Sequence, residues 1–261
     1  MTKTNPLREH LKAGGKLLGL WLSTGRPEAA EIAALAGYHV VIVDLEHAPG
    51  DTEALGHLLR AVECRGAFPM VRVPWNDPVI LKRVLELGAR SLMIPMVENR
   101  AEAEAAVAAC RYPPRGRRGY AAGAIRASNY GFVADYAAHA HEELFLALQD
   151  ETGVAAANAG EIAGVEGCDM VFVGPNDLAG NLGYLERMGE PPVLAAIEDA
   201  KAKTKARGKF LGIVPHAGKD ASRLAAEGFD FVACGNDVIF LREATRADVA
   251  RHAAAYGITP R

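Results

Sequence analysis

The sequence predicts a single α/β domain in which eight parallel strands alternate with helices and close into a (β/α)8 barrel. The chain has 261 residues, half of them hydrophobic, and one domain of this kind suits that length. Short runs rich in Val, Ile, Leu and Phe alternate with alanine-rich segments of helical period, which is the pattern of a parallel sheet. Eight such runs are present, and no GxGxxG motif follows the first one. A closed barrel is therefore favoured over a doubly wound sheet, with one domain over residues 1–261.

The first four strand–helix units fill the first 110 residues. Strands are predicted at Leu17–Ser23, His39–His47, Phe68–Pro74 and Ser91–Val97. The helices that follow them are predicted at Pro27–Ala36, Thr52–Cys64, 79–88 and Ala101–Cys110. Pro27 suits the first turn of its helix, and Asp51 is the expected cap of the second helix.

The alternation breaks between Tyr112 and about Tyr136, where Gly, Pro and Arg are frequent. A long loop inside a compact domain is more often functional than idle. Strands resume at Leu144–Gln149, Met170–Gly174, Phe210–Val214 and Phe231–Cys234. The last two are each preceded by a helical segment that ends in glycine, at Gly208 and Gly228, as helix C-termini commonly do.

Composition excludes several classes of protein. A net charge of −3 favours neither nucleic acid nor an anionic membrane, and no apolar run is long enough to span a bilayer. The basic cluster Arg111–Arg118 lacks aromatic stacking partners, so we expect a solvated loop or a subunit contact there. The amino-terminal segment lacks the features of a secretory signal, and the four cysteines are widely spaced. We therefore expect a cytoplasmic protein with reduced thiols.

In a barrel of this kind, catalytic residues follow the carboxyl ends of the strands. Polar residues at those positions are the candidates for chemistry, because a charged group in a barrel mouth is costly unless it is paired or used. They are Asp44, Glu46, His47, Arg72, Gln149, Glu151, Asn176, Asp177, His216, Asn236 and Asp237.

Glu151 and Asp177 follow adjacent predicted strands, so their carboxylates are expected to converge. Two carboxylates, with water and substrate oxygens completing the shell, are a usual way to hold Mg²⁺ or Mn²⁺. Two structural alternatives are equally open at this point. Asp177 is also placed to cap the next helix, and Glu151 to pair with a nearby arginine.

Arg72 interrupts an apolar strand, where an unpaired cation would be destabilising. Its fork of N–H donors suits the carboxylate or enolate oxygen of a ligand, but an ion pair with Glu46 or Glu151 explains it as well. His47 is the natural proton carrier near neutral pH, although a single strand-end histidine is more often structural. No lysine stands at a predicted strand end, so a Schiff-base mechanism has no candidate residue.

Four segments, VDLEHAP, VRVPWNDP, LQDET and VFVGPNDLAGNLG, occur in this order at the predicted strand ends. Together they resemble the HpcH/HpaI family of class II pyruvate aldolases, of the type that acts on 4-hydroxy-2-oxo acids. The resemblance extends from GLWLSTGRPE near the start to VACGNDVIFL near the end.

The resemblance implies a role for each matching residue. Glu151 and Asp177 would hold a divalent metal, Mg²⁺ or Mn²⁺ with Co²⁺ as a further option, and His47 and Arg72 would be catalytic. The family pairs its histidine with an aspartate in a Leu-Asp-x-Gly-Ala stretch, where this chain has LELGA, so Glu86 is the expected partner of His47. The residues expected to bind substrate are Arg72, Gln149, Gly174, Pro175, Asn176 and Trp21.

The implied reaction is reversible aldol cleavage of a 4-hydroxy-2-oxo acid to pyruvate and an aldehyde through a metal-stabilised enolate. The alternatives are a carbon–carbon lyase acting on an acyl-CoA thioester, such as malyl-CoA or citryl-CoA, and a non-catalytic barrel that binds a 2-oxo acid. The resemblance also implies a homohexamer, a trimer of dimers, in which the last helix is exchanged between subunits. The segment RADVARHAAAYG is the candidate for that helix, and an ordinary eighth helix on its own barrel is the alternative.

Overall fold

The computed structural model describes residues 4–259, and eight strands within them close into a barrel in chain order. All neighbouring strands pair in parallel, including the first with the last. The strands are β1 (Leu17–Leu22), β2 (Val40–Asp44), β3 (Phe68–Arg72), β4 (Ser91–Ile94), β5 (Phe145–Asp150), β6 (Met170–Val173), β7 (Phe210–Ile213) and β8 (Phe231–Asn236). The predicted (β/α)8 barrel is confirmed.

One helix, α1, precedes the first strand, and the other helices follow strands on the outside of the barrel. They are α1 (Pro6–Lys12), α2 (Pro27–Leu35), α3 (Thr52–Glu63), α4 (Pro78–Glu86), α5 (Arg100–Cys110), α6 (Tyr136–His139), α7 (Gly153–Ala163), α8 (Pro175–Asn181), α9 (Pro191–Ala206), α10 (Ala221–Ala226) and α11 (Asp237–Tyr256). Both predicted helix starts are confirmed. Pro27 begins α2, and the Asp51 side chain accepts a hydrogen bond from the Ala54 N–H at the start of α3. Within residues 4–259, no helix combines the length and the apolar character that a bilayer crossing requires.

The core has two layers, as the alternation of side chains along a strand requires. One layer fills the inside of the barrel and includes Ile42, Met70 and Phe172. The other lies between the strands and the surrounding helices and includes Val41 and Val43 from the same strand as Ile42. The filled interior leaves the chemistry to the carboxyl ends of the strands.

Helix α1, to which the sequence analysis assigned no element, closes the amino-terminal end of the barrel. Leu7 and Leu11 are buried against the interior layer. Asn5 caps the helix by accepting a hydrogen bond from the Leu7 N–H, and its amide nitrogen donates to the Glu143 carbonyl oxygen. The cap thus ties α1 to the segment that precedes β5.

The segment from Tyr112 to Tyr136 is an ordered structure with its own small apolar cluster, formed by Tyr112, Ala122, Tyr136 and Ala140. The prediction of a solvated basic loop is correct for Arg115 and Arg117, which are exposed, and wrong for Arg118. The Arg118 side chain is buried, and its guanidinium carbon lies 4.5 Å from the centroid of the Tyr112 ring. Stacking on an aromatic face allows a guanidinium to be buried here.

Helix α11 is the longest helix of the described chain, with 20 residues, of which Ala253 is the buried one. Val238, Ile239, Phe240 and Leu241, in its first two turns, are all exposed. In the single chain, α11 therefore does not pack along its own barrel as an ordinary eighth helix would.

Candidate active site

A cavity of about 580 Å³ opens at the carboxyl ends of the strands, where the fold predicts the chemistry to be. Its volume lies within the range that holds a small organic ligand. The residues that line it are Trp21, Ser23, Asp44, His47, Arg72, Gln149, Glu151, Phe172, Gly174, Pro175, Asn176, Asp177, Val214, Pro215, Ala233, Cys234, Gly235, Asn236, Ile239 and Phe240. All the residues predicted to hold metal or substrate are among them, and His47 is as well.

Arg72 is held at one side of this cavity by two acids, Asp44 at the end of the neighbouring strand β2 and Glu46 just after it. Its Nε donates to Oδ1 of Asp44 over 2.9 Å, and its Nη2 donates to Oδ2 over 2.7 Å. Its Nη1 lies 3.1 Å from Oε2 of Glu46, in an ion pair that does not have hydrogen-bond geometry. The guanidinium carbon also lies 4.3 Å from the centroid of the Trp21 ring. The predicted ion pair with Glu46 is therefore present, whereas the pair with Glu151 is not.

The pairing with Arg72 also sets the charge of Asp44. Burial alone would raise the pKa of the Asp44 carboxyl, but the hydrogen bonds and the positive charge of Arg72 lower it below its usual value. Asp44 is thus ionised at neutral pH and keeps the guanidinium in place. A guanidinium has five N–H groups and Asp44 takes two of them, so donors remain for a ligand in the cavity.

Glu151 is buried at the end of β5 and is oriented by two donors. Nε2 of Gln149 donates to its Oε1 over 2.9 Å, and the Met96 N–H donates to its Oε2 over 3.0 Å. Burial, followed by the nearby carboxylates of Glu46 and Asp177, raises the pKa of Glu151 to about 7. Glu151 makes no ion pair with an arginine within residues 4–259, which removes that structural alternative.

Asp177 lies in the first turn of α8 and lines the same cavity as Glu151. The cap position of this helix is occupied by Gly174, and no side chain caps it, so Asp177 is not the helix cap. A Cβ added at Gly174 would lie 2.8 Å from Cγ of Glu151. The glycine therefore allows the turn between β6 and α8 to approach Glu151 closely. The Gly174 N–H itself donates to the Asp150 carbonyl oxygen, whereas the backbone N–H groups of Asn176 and Asp177 have no acceptor within residues 4–259 and are available to a ligand.

The donor set of the cavity fits a divalent cation. Glu151 is buried and Asp177 is exposed to the cavity, and a cation between two such carboxylates offsets their repulsion. Mg²⁺ commonly takes one or two protein carboxylates with water and substrate oxygens. Within the described part of the chain no cluster of three or more His, Cys, Asp or Glu side chains has the geometry of a metal site. Glu151 and Asp177 would therefore act as a two-carboxylate site.

His47 stands at the rim of the cavity, with 64% of its side chain exposed. Its Nε2 lies 3.8 Å from Oε2 of Glu46, and its backbone N–H donates to Oδ1 of Asp44 over 3.3 Å. Burial is the largest cause of a raised pKa at Glu46, and the charges of Asp44 and Asp177 add to it, while Arg72 and His47 oppose it. Glu46 thus links the histidine to the arginine. The sequence predicts Glu46 as an ion-pair partner of Arg72 but indicates no contact between Glu46 and His47.

Two residues that the sequence predicts as candidates for the site, Glu86 and His216, lie outside the cavity. Glu86 is the last residue of α4 and lines a separate groove with Arg126 and Tyr130, and the described chain contains no contact between Glu86 and His47. His216, a strand-end candidate, is buried outside the cavity, with its Nδ1 lying 3.1 Å from the Val214 carbonyl oxygen. Residues 112–136, the long loop expected to be functional, contribute no side chain to the cavity of the single chain.

The sequence analysis also missed one whole wall of the cavity. Ser23, Val214, Pro215, Ile239 and Phe240 line it, and they are uncharged side chains at the ends of β1 and β7 and in α11. These residues carry no charged or amide group, so their side chains alone do not mark them as candidates for chemistry. The position of Ser23, directly after a buried strand, was the available signal.

Comparison with known proteins agrees with this geometry. The family model described as HpcH/HpaI aldolase/citrate lyase matches residues 17–244. A pyruvate aldolase of Rhizobium etli is 43% identical over 95% of this chain and 98% of its own length. A hydroxypyruvate/pyruvate aldolase of Delftia acidovorans is 40% identical over 96% of this chain and 93% of its own. The crystal structure of a family protein from Burkholderia cenocepacia superposes with a TM-score of 0.90 at 36% identity and covers 95% of this chain and 99% of that one. This chain belongs to the HpcH/HpaI aldolase/citrate lyase family.

Proposed function

We propose that this protein is a divalent-metal-dependent pyruvate aldolase that interconverts a 4-hydroxy-2-oxo acid with pyruvate and an aldehyde. One observation carries the proposal: the carboxylates of Glu151 and Asp177 share a cavity with a fixed arginine and an exposed histidine. The pyruvate aldolase names of the relatives that align along nearly the whole chain support the same reaction.

The chain supplies the charge stabilisation and the proton transfer. When bound by Glu151 and Asp177, a cation such as Mg²⁺, Mn²⁺ or Co²⁺ provides Lewis-acid stabilisation of the negative charge that develops on the 2-oxo acid. Arg72 donates a hydrogen bond to the C2 oxygen as that charge develops, and its attachment to Asp44 means that it needs no reorganisation to do so. Gln149 keeps Glu151 oriented. The free backbone N–H of Asn176, in the turn that contains Gly174 and Pro175, donates to the carboxylate of the substrate.

His47 carries the proton. In the condensation direction it takes a proton from the methyl carbon of pyruvate, and this carbon then forms a bond to the carbonyl carbon of the aldehyde. The aldehyde oxygen receives the proton and becomes the 4-hydroxyl group. Cleavage follows the same steps in reverse. The Glu46 carboxylate lies 3.8 Å from Nε2 of His47 and helps to hold the imidazole at the cavity. Glu86 takes no part within one chain, because it lies in a different groove.

The test is exchange of the pyruvate methyl protons in heavy water, followed by NMR without any aldehyde. We expect exchange with Mg²⁺ or Mn²⁺, loss of exchange under chelation, and a higher metal requirement in Glu151→Gln and Asp177→Asn. Glu104→Gln, at an exposed surface carboxylate, is the matched control. If both site variants exchange at the wild-type rate under chelation, the metal assignment is wrong. A non-catalytic binding barrel would show no exchange at all, and an acyl-CoA lyase would require its thioester.

We further propose that the protein acts as a homohexamer in which α11 is exchanged between subunits. The apolar residues in the first two turns of α11 support this, because 45–62% of the surface of each remains exposed in the single chain. Light scattering after size-exclusion chromatography measures the mass, and a monomer would contradict the proposal. Phe240→Glu, placed in the exposed apolar stretch, should shift the mass downwards, whereas Arg251→Glu, on an exposed polar position of the same helix, should not.

A further inference from the structure

The cavity at the carboxyl ends of the strands is larger than a three-carbon keto acid requires. At about 580 Å³ it has room for a second ligand beside a three-carbon keto acid. The charged groups proposed to bind and activate pyruvate come from the ends of β2, β3 and β5 and from α8. The remaining wall is formed by uncharged residues that follow β7, β8 and β1. In an aldolase, that wall is where the aldehyde must bind.

The charge around the cavity works against an anionic aldehyde. Among the described residues that line the cavity, Arg72 is the permanent cation, and Asp44 and Glu46 already neutralise it. A divalent cation at the metal site would be offset by Glu151 and Asp177, so a phosphate or a second carboxylate on the aldehyde would enter a cavity that has no excess positive charge. Like charges placed together at a binding site cost several kcal/mol, and a charge removed from water without a partner is costly as well.

The uncharged wall contains one fixed hydroxyl group, that of Ser23. The Ser23 N–H donates to Oδ1 of Asp237 over 2.8 Å, which fixes the backbone. Nδ2 of Asn236 donates to the Ser23 Oγ over 3.0 Å, and Oδ1 of Asn236 accepts from the Ile239 N–H, which sets the orientation of the amide. The Ser23 oxygen is thus an acceptor for Asn236, and its hydrogen has no acceptor within residues 4–259. It is free to be donated to a ligand.

We propose that Ser23, held by Asn236, recognises a hydroxyl group of the aldehyde, so that the enzyme selects uncharged hydroxyaldehydes over phosphorylated or carboxylated ones. This inference rests on the proposed function and names the class of its second substrate. A site that hydrogen-bonds a substrate hydroxyl rejects the analogue without it, because its own polar group is then left unpaired. Val214 and Pro215 line the same wall and would contact the carbon chain of the aldehyde.

The test compares aldehydes that differ in one group, with pyruvate and metal saturating and with concentrations expressed as free carbonyl. We expect kcat/KM for glycolaldehyde to exceed that for acetaldehyde roughly three- to tenfold, the effect of one hydrogen bond. We expect glyceraldehyde to exceed glyceraldehyde 3-phosphate by about a hundredfold. A preference for the phosphorylated or carboxylated aldehyde would overturn the proposal.

Substitutions at Ser23 and Thr24 separate the recognition of the aldehyde hydroxyl group from general effects on the structure. Ser23→Ala should bring the glycolaldehyde-to-acetaldehyde ratio close to one, and Ser23→Thr, which keeps the hydroxyl, should restore it. Thr24→Val is the matched control. The Thr24 hydroxyl bonds to Asp237 in the same loop but does not line the cavity, so its loss should lower both rates together and leave the ratio unchanged. A purely structural role for Ser23 would give that same pattern and would contradict the proposal.

Failure of this proposal can be told apart from failure of the proposed function. Exchange of the pyruvate methyl protons needs no aldehyde. If exchange proceeds while the ratio between glycolaldehyde and acetaldehyde is the same in wild type and Ser23→Ala, the hydroxyl subsite is wrong and the aldolase assignment is unaffected. If exchange itself is absent, the proposed function is wrong.

Discussion

At the level of single residues, the pair of Arg72 and Asp44 joins two neighbouring strands at the same register position. A buried ion pair contributes little net stability, because the cost of removing both charges from water offsets their attraction. The pair is better explained by its effect on position, because Asp44 holds the Arg72 guanidinium in one orientation. Two hydrogen bonds from one carboxylate fix the plane of the guanidinium, and the Trp21 ring covers one of its faces.

Replacement of Arg72 by lysine tests this positioning. Lysine keeps the charge, but it cannot make the two parallel bonds to Asp44. We expect Arg72→Lys to lose about 3 kcal/mol of transition-state stabilisation, roughly a hundredfold in the rate of pyruvate methyl exchange. Metal affinity, measured by calorimetry, should stay near the wild-type value. Arg65→Lys, in the surface pair with Glu31, is the control, and an unchanged exchange rate in Arg72→Lys would contradict the role.

Asp150 is the last residue of β5 and directly precedes Glu151, but its side chain points the other way, as side chains of successive residues in extended backbone do. It is buried, and neither carboxyl oxygen has a hydrogen-bond partner within the described residues. Burial, followed by the charge of Glu151, raises the pKa of Asp150 from 3.8 to about 8. Between those two values the folded protein binds more protons than the unfolded chain, so this group makes stability fall as the pH rises.

The Asp150→Asn variant should therefore remove part of the pH dependence of unfolding. The contribution of Asp150 is a loss of up to about 1.4 kcal/mol per pH unit between the two pKa values. Urea unfolding at pH 5, 6, 7 and 8 should show the variant gaining on the wild type as the pH rises. Glu161→Gln, at an exposed carboxylate, should leave the slope unchanged. A constant difference between wild type and Asp150→Asn across this range would show that Asp150 does not titrate there.

At the level of elements, the strands were easier to predict from sequence than the short helices. Runs of β-branched and aromatic residues placed all eight strands within a few residues of their observed ends. The predicted end of the last strand, Cys234, falls short because pairing, not composition, decides where a strand stops. After an irregularity in β1, Gly235 and Asn236 still pair with Leu20 and Trp21.

Helix α1 shows what local sequence cannot supply. Seven residues are too few for a clear helical period, and an isolated helix of this length is unstable in water. It forms because the open end of the barrel buries Leu7 and Leu11. The space that receives these two leucines exists only after the strands have closed into a barrel.

The Leu7→Ala variant tests the role of α1 as a closure of the barrel. Leu7 is fully buried, so its truncation should cost about 2–5 kcal/mol of unfolding free energy, through lost burial and the cavity left behind. Chemical denaturation measures the loss. Pyruvate exchange well below the unfolding transition should be retained, because α1 and the catalytic cavity lie at opposite ends of the barrel. Glu9→Ala, on the exposed face of α1, is the control, and equal stability of Leu7→Ala and wild type would contradict the packing.

At the level of the whole molecule, the rule that strand ends carry the chemistry assembled most of the site from sequence. It brought Glu151, Asp177, Arg72 and His47 to one cavity. It could not foresee that Asp44 is the main partner of Arg72, since this depends on the register between β2 and β3.

The expectation for Glu86 came from resemblance and not from position in the fold. Glu86 ends α4, and a helix of this barrel runs antiparallel to its strands. Its last turn therefore lies towards the amino-terminal ends of the strands, away from the cavity. Motif matching places a residue in a sequence, whereas a contact also depends on which end of the barrel that residue occupies.

Metal binding should stabilise the molecule as a whole. An ion that binds the folded protein at a hundred times its dissociation constant adds about 2.7 kcal/mol of stability, which is roughly 5–10 °C in Tm for a chain of this size. We expect this rise with Mg²⁺ or Mn²⁺ in a thermal melt, with NaCl at equal ionic strength as the control. The Glu151→Gln variant should lose most of the rise. An equal rise in that variant would place the ion elsewhere.

The stack of Trp21 on Arg72 has an optical consequence. The chain has two tryptophans, and the other, Trp75, is largely exposed to solvent. The fluorescence intensity of an indole that stacks on a guanidinium in the cavity should change when a ligand binds beside it. With Trp75 replaced by phenylalanine, the protein would carry its own fluorescent gauge of occupancy, readable without any turnover.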